Sequence, residues 1–178
     1  VVADAEHVRL EVEDHDVPYP LTVDPLLSAI ADTVLDSDDL ALGLGVSLDG
    51  AGDVNGDGYA DVIVGAHNWA GGIVFGGAAF VFHGGPGGLG SGPTALPAPR
   101  IDGDALTDRF ASSVAGAGDV NGDGYADVVV AAPRSSDGEL EEGIVYVYHG
   151  GPGGIPDGDP STADAVLERV HPTDQDAT

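Results

Sequence analysis

Apolar residues in this chain come in short runs set off by Gly, Asp, Asn and Pro, and no long stretch keeps a 3.6-residue period between helix caps. The pattern predicts strands and turns with almost no helix. The segments 61–66 and 127–132 are apolar without alternation (Val62-Ile-Val64, Val128-Val-Val130), which marks strands buried on both faces. Strands are predicted near Gly45–Leu48, Ala60–Ala66, Ala78–His83 and Ala98–Ile101. They are predicted again near Ala111–Ala115, Ala126–Ala132, Ile144–His149 and Val166–Val170.

The two sets are copies. An offset of 66 residues carries Asp53 onto Asp119, Tyr59 onto Tyr125 and His83 onto His149. Gly50 to Val62 meets Gly116 to Val128 without a mismatch, and His83-Gly-Gly-Pro-Gly-Gly88 meets its counterpart from His149 to Gly154. The organisation predicted is one four-stranded unit over 32–98, a second over 99–164, and the start of a third over 165–178. Short four-stranded units buried on both faces stack around an axis, so the expected fold class is all-β, made of β-propeller blades. Two blades leave two outer faces bare. Further blades of a longer chain, or self-association, are therefore expected partners. Residues 1–31 stand outside the repeat and read as a hairpin or linker, with Val8–Val12 and Tyr19–Val23 as its strands around Glu13–Pro18.

Composition changes this picture little. Gly (29) and Pro (12) are high, but they punctuate apolar runs instead of replacing them. The absence of Cys excludes disulfide staples. With no Met, position 1 is not a natural start, and the chain is expected to be a processed product or a piece of something longer. No segment has transmembrane length, so membrane insertion is not expected. Charge weighs more. The formal net of −26 repels phosphate backbones and anionic lipid, which excludes nucleic acid as a partner. It suits either a cation-rich medium or solubility alone.

Part of that charge is ordered. Positions 1, 3, 5, 7 and 9 of one loop are Asp53, Asn55, Asp57, Tyr59 and Asp61; the second loop has Asp119, Asn121, Asp123, Tyr125 and Asp127. This is the spacing by which calcium loops wrap a hard cation in oxygen. The Asp and Asn side chains would ligate, the Tyr would offer its main-chain carbonyl, and the last Asp would complete the shell directly or through water. Gly58 and Gly124 fall at position 6, where such loops turn sharply. Two Ca²⁺ sites are predicted. A ready alternative is a pair of solvated Asn-Gly/Asp-Gly hairpin turns, but identical spacing in two copies favours the ion. An EF-hand is excluded, since position 12 is Val64 or Val130 and a strand follows. With no His or Glu in either loop to act as a base, the ion is read as structural.

The segment Phe110-Ala-Ser-Ser-Val-Ala-Gly-Ala-Gly-Asp-Val-Asn-Gly-Asp-Gly-Tyr-Ala-Asp-Val-Val-Val-Ala-Ala-Pro133 resembles an FG-GAP repeat, and the resemblance covers about 33–170 twice over. Such repeats build the propeller head of integrin α chains and occur in bacterial secreted proteins. The resemblance implies blade-loop calcium, a secreted or cell-surface location, and adhesion, scaffolding or binding of a protein or glycan ligand, without catalysis. The name-giving Phe-Gly is Leu44-Gly45 in one copy and Phe110-Ala111 in the other, and Gly-Ala-Pro becomes Gly65-Ala-His67 and Ala131-Ala-Pro133. The alternative function is an accessory or substrate-binding propeller of an extracellular hydrolase or lyase. Ser47 in Gly45-Val-Ser-Leu-Asp49 lacks the closing Gly of a nucleophile elbow. His83 and His149 read as strand-end residues, Trp69 as a packing residue or ligand anchor, and Asp36-Ser-Asp-Asp39 as a solvated turn.

Overall fold

The computed structural model describes residues 2–3, 8–9, 35–36, 43–70, 76–89, 92–93, 99–105, 108–135 and 143–168. The chain divides into Val1–Ala31 and Asp32–Thr178. In the first unit, β1 (Val2–Ala3) pairs antiparallel with β2 (Val8–Arg9), Val2 opposite Arg9. Val8–Arg9, the start of the strand expected at 8–12, thus pairs on one edge with the earlier segment. Only four residues separate these two strands, so the loop to be closed is short. Residues 19–23 lie outside the described residues.

The second unit opens with β3 (Leu35–Asp36). A four-stranded antiparallel sheet follows, made of β4 (Leu44–Gly52), β5 (Asp61–Ala66), β6 (Ala78–Phe82) and, after the short β7 (Gly92–Pro93), β8 (Arg100–Asp102). The second sheet runs β9 (Ser113–Gly118), β10 (Asp127–Ala132), β11 (Ile144–Tyr148) and β12 (Ala165–Glu168). These are two blades of the expected all-β class. The one helical turn among the described residues is a 3₁₀ turn at Pro160–Thr162. The sheets are phased later than the sequence units drawn at 32–98 and 99–164. The strand that completes each sheet, β8 or β12, lies just beyond the end of its unit.

The Val- and Ile-rich β5 and β10 are central because both of their faces must be covered. Ile63, Val81, Ile101 and Val54 of the first sheet pack with Phe110, Val128, Val130 and Tyr146 of the second in one core, and β4 runs along β9. The opposite face of the first sheet buries Phe80, Phe82 and Val64 against Leu35, Leu44, Trp69 and Leu89. Where the sheets approach most closely, side chains must vanish. A methyl at Gly65 would overlap the carbonyl oxygen of Ala111, and one at Gly116 would overlap that of Gly50.

The first strand of each copy differs from expectation. β4 begins at Leu44 and reaches Gly52, with register shifts at Leu44/Ser47 and Gly50/Gly52. β9 begins at Ser113, after Arg109 (φ 55°) and Ala111 (φ 59°) in left-handed backbone. Their counterparts in the first copy are Gly43 (φ 62°) and Gly45 (φ 82°), so the turn is the same and only the residues differ. A parallel contact also repeats: Leu35 pairs with Gly92, and 66 residues on Ile101 pairs with Gly158. The last strand of the first sheet is therefore held by a loop that belongs to the second. The sequence reading did not anticipate this contact.

Candidate metal centre

Each candidate loop spans the turn from the first strand of its sheet to the second, β4 to β5 and β9 to β10. The glycines allow a tight path: Gly56 and Gly58 have φ of 76° and 89°, and Gly122 and Gly124 have 79° and 96°. Backbone amides turn inward onto the side-chain oxygens. Asp53 Oδ1 accepts from the N–H groups of Gly56 (2.7 Å) and Asp57 (3.1 Å), and Oδ2 accepts from Gly58 (2.9 Å). Asn55 Oδ1 accepts from Asp57 N–H at 2.9 Å, while its amide donates to Asp57 Oδ2 at 3.1 Å. Tyr59 N–H donates to Asp57 Oδ1 at 2.9 Å.

The second loop reproduces the network. Asp119 accepts from Gly122 (2.7 Å), Asp123 (3.0 Å) and Gly124 (2.9 Å). Asn121 accepts from Asp123 N–H (2.9 Å) and donates to its Oδ2 (2.8 Å), and Tyr125 N–H donates to Asp123 Oδ1 (2.9 Å). That backbone N–H and the Asn121 amide hold the Asp123 carboxyl below the ordinary carboxylate range.

The structure therefore gathers the side chains of positions 1, 3 and 5 in both loops, but it gives position 9 a distinct duty. Asp61 is fully buried. Its Oδ2 accepts from Val54 N–H (2.9 Å) and its Oδ1 from Gly84 N–H (2.8 Å). Asp127 is fully buried likewise, bound to Val120 N–H (2.7 Å) and Gly150 N–H (2.9 Å). Each of these carboxylates ties the loop's start to the His-Gly-Gly turn of its own sheet. The sequence reading did not see this anchor. Its signal was available: both Asp residues stand 23 residues before the turn glycine they bind.

Among the described residues, no three or more Asp, Glu or His side chains form a ready cation cage. The carboxylates face loop amides, and the third side-chain donor of each loop is an Asn. The donor set is nonetheless all oxygen. Two Asp, one Asn and the Tyr carbonyl lie in one tight turn, and a carboxylate accepting one or two N–H groups keeps lone pairs for a metal. Such donors fit a hard divalent cation with flexible coordination, Ca²⁺ above Mg²⁺.

Other candidates resolve as packing. Ser47 Oγ accepts from Val114 N–H at 3.0 Å, which joins β4 to β9. Trp69 meets Phe80 edge-on at 5.1 Å, with the Arg100 guanidinium 5.6 Å from its ring centroid. His83 and His149 follow β6 and β11 on different sheets. His149 Nδ1 is 3.7 Å from Asp164, and His83 Nε2 is buried with no hydrogen-bond partner. Burial pushes the Tyr148 hydroxyl far up. Residues 37–39 of the predicted acidic turn lie outside the described residues. Among the described residues, no helix is long and apolar enough to cross a membrane.

The FG-GAP repeat family matches this chain twice, at 44–82 and 110–148. Both spans start where the first strand or its left-handed turn begins, contain the loop, and end with the third strand. Integrin alpha-4 of Xenopus laevis is 39% identical over 108 residues, covering 59% of this chain and 10% of the relative. Integrin alpha-7 of Mus musculus is 36% identical over 136 residues, covering 76% and 11%. Integrin alpha-PS2 of Drosophila melanogaster is 37% identical over 109 residues, covering 57% and 7%. The chain thus spans about a tenth of the length of these curated relatives.

Proposed function

We propose, for a chain that belongs to the FG-GAP repeat family of integrin-alpha-like β-propellers, that its two loops bind Ca²⁺ and that it serves as a non-catalytic, calcium-stabilised adhesion or ligand-binding module outside the cell. The observation that carries the reading is the identical gathering of Asp53, Asn55 and Asp57 and of Asp119, Asn121 and Asp123 by matching hydrogen bonds. In each loop these three side chains and the carbonyl of Tyr59 or Tyr125 are the direct donors. Asp61 and Asp127 stay anchored to backbone amides and reach the ion through a remaining lone pair or a water.

The ion would remove the repulsion between the carboxylates at positions 1 and 5 of each loop and fix the turn between two strands. At a free Ca²⁺ concentration about 100 times the dissociation constant, each site adds roughly 2.7 kcal/mol. That is a large share of a marginal stability. The surface charge of −26 fits a cation-rich medium outside the cell. Native mass spectrometry from calcium-containing buffer tests the stoichiometry. Two ions per chain are expected, falling to one in Asp57→Ala and one in Asp123→Ala; a chain that carries no calcium sinks the reading.

A further inference from the structure

The two loops are alike inside and unlike outside. Their internal hydrogen bonds correspond one for one, yet the first loop is built into the second sheet. Asp53 O accepts from Ala126 N–H at 2.9 Å, and Val54 O accepts from Gly151 N–H at 3.0 Å. The Val54 side chain is 0% exposed, within the core shared by the two sheets. The Tyr125 ring lies against Gly56 so closely that a methyl carbon there would stand 2.6 Å from it. The second loop lacks this support among the described residues. No backbone amide donates to Asp119 O or Val120 O. Val120, the counterpart of Val54, is 57% exposed, and Gly122 has open space where Gly56 meets the tyrosine.

We infer that the loops are unequal cation sites, with 53–61 the tighter, and that Tyr125 is a positioning residue for the ion in the neighbouring loop. The inference rests on the calcium reading above. A loop that must order mutually repelling oxygens loses affinity to that ordering, and a loop already held in shape does not. Sheet-two amides fix the Asp53 and Val54 carbonyls, and the Tyr125 ring limits the movement of Gly56 between Asn55 and Asp57. Linkage makes the effect reciprocal: an ion in the first loop strengthens the seam between the sheets by the same factor as the seam tightens the ion.

Calorimetric titration of the full chain with CaCl₂, at a concentration where sedimentation shows a monomer and the Val120 face is uncovered, tests this. Wild type is expected to show two sites differing at least about fivefold, the lower end of ordinary site-to-site coupling. Asp57→Asn should remove the tighter site and Asp123→Asn the weaker; the Asn side chain keeps an acceptor for the loop amide while losing the charge. In the Asp123→Asn background, Tyr125→Ala should weaken the remaining site about fivefold, whereas Tyr125→Phe, which keeps the ring, should not. In the Asp57→Asn background, Tyr59→Ala should leave the second site unchanged, since that ring is 41% exposed. Circular dichroism checks that each variant is folded; if Tyr125→Ala is not, the order of loss in the two Asn variants decides alone. Two equal sites, or loss of the tighter site in Asp123→Asn, overturns the inference and leaves calcium binding intact. Absence of binding at both sites overturns the inference together with the reading beneath it.

Discussion

Asp57 and Asp61 share one loop, but their surroundings give them different duties. Asp57 is exposed and faces Asn55, whereas Asp61 is fully buried and satisfies the amides of Val54 and Gly84. Asp61→Ala leaves the buried Val54 and half-buried Gly84 N–H groups without partners, at up to about 1–3 kcal/mol each. We expect urea denaturation in chelator to show a loss of roughly 2–5 kcal/mol for Asp61→Ala and under about 0.5 kcal/mol for Asp57→Ala. Equal losses would mean that Asp61 anchors the loop no more than Asp57 does. The lowered Asp123 carboxyl gives a pH sign as well. Its contribution is complete above the unfolded carboxylate value and is lost as pH falls through the lower folded one.

Backbone at Arg109 supplies another residue-scale prediction. Its φ of 55° strains an L-residue by about 1–2 kcal/mol, partly offset on replacement by the greater unfolded freedom of glycine. Arg109→Gly should therefore raise stability by about 0.5–1 kcal/mol, a gain of roughly 1–4 °C in Tm. The donors at positions 1, 3 and 5 were legible in the sequence because their spacing is the chemistry. The anchor role of Asp61 was not, since burial and the approach of Gly84 arise only when β6 returns beside β5.

At the scale of elements, the repeat told most of the story. The 66-residue offset and the apolar runs placed all four strands of each sheet within a few residues, because central strands covered on both faces need Val and Ile. The pairing of Val8–Arg9 with Val2–Ala3 was not legible, since alternation at 8–12 says nothing about which neighbouring segment lies alongside. Gly65 lies against the Ala111 carbonyl, whereas its counterpart Ala131 is half-buried and carries a methyl. Gly65→Ala should cost about 1–3 kcal/mol by overpacking, against under about 1 kcal/mol for Ala131→Gly. Equal effects in thermal denaturation would show that the sheets do not meet at Gly65.

For the whole molecule, the asymmetry of the two sheets is decisive. Val54 and Ile101 are 0% exposed beneath the second sheet, while their counterparts Val120 and Leu167 are 57% and 59% exposed. A face so repeated calls for cover by another blade, and the chain alone is expected to self-associate through it. Val120→Asp with Leu167→Asp should lower the sedimentation coefficient at high concentration; an unchanged monomer in both proteins would contradict this. If calcium holds the first turn of each sheet, its removal must loosen the whole molecule. Melting of the wild type should rise by about 10 °C or more between chelator and millimolar Ca²⁺, from two sites of roughly 2.7 kcal/mol each. The Asp57→Ala, Asp123→Ala double variant should show no rise. A wild-type melting temperature indifferent to calcium, or a double variant that responds as the wild type does, would contradict the account.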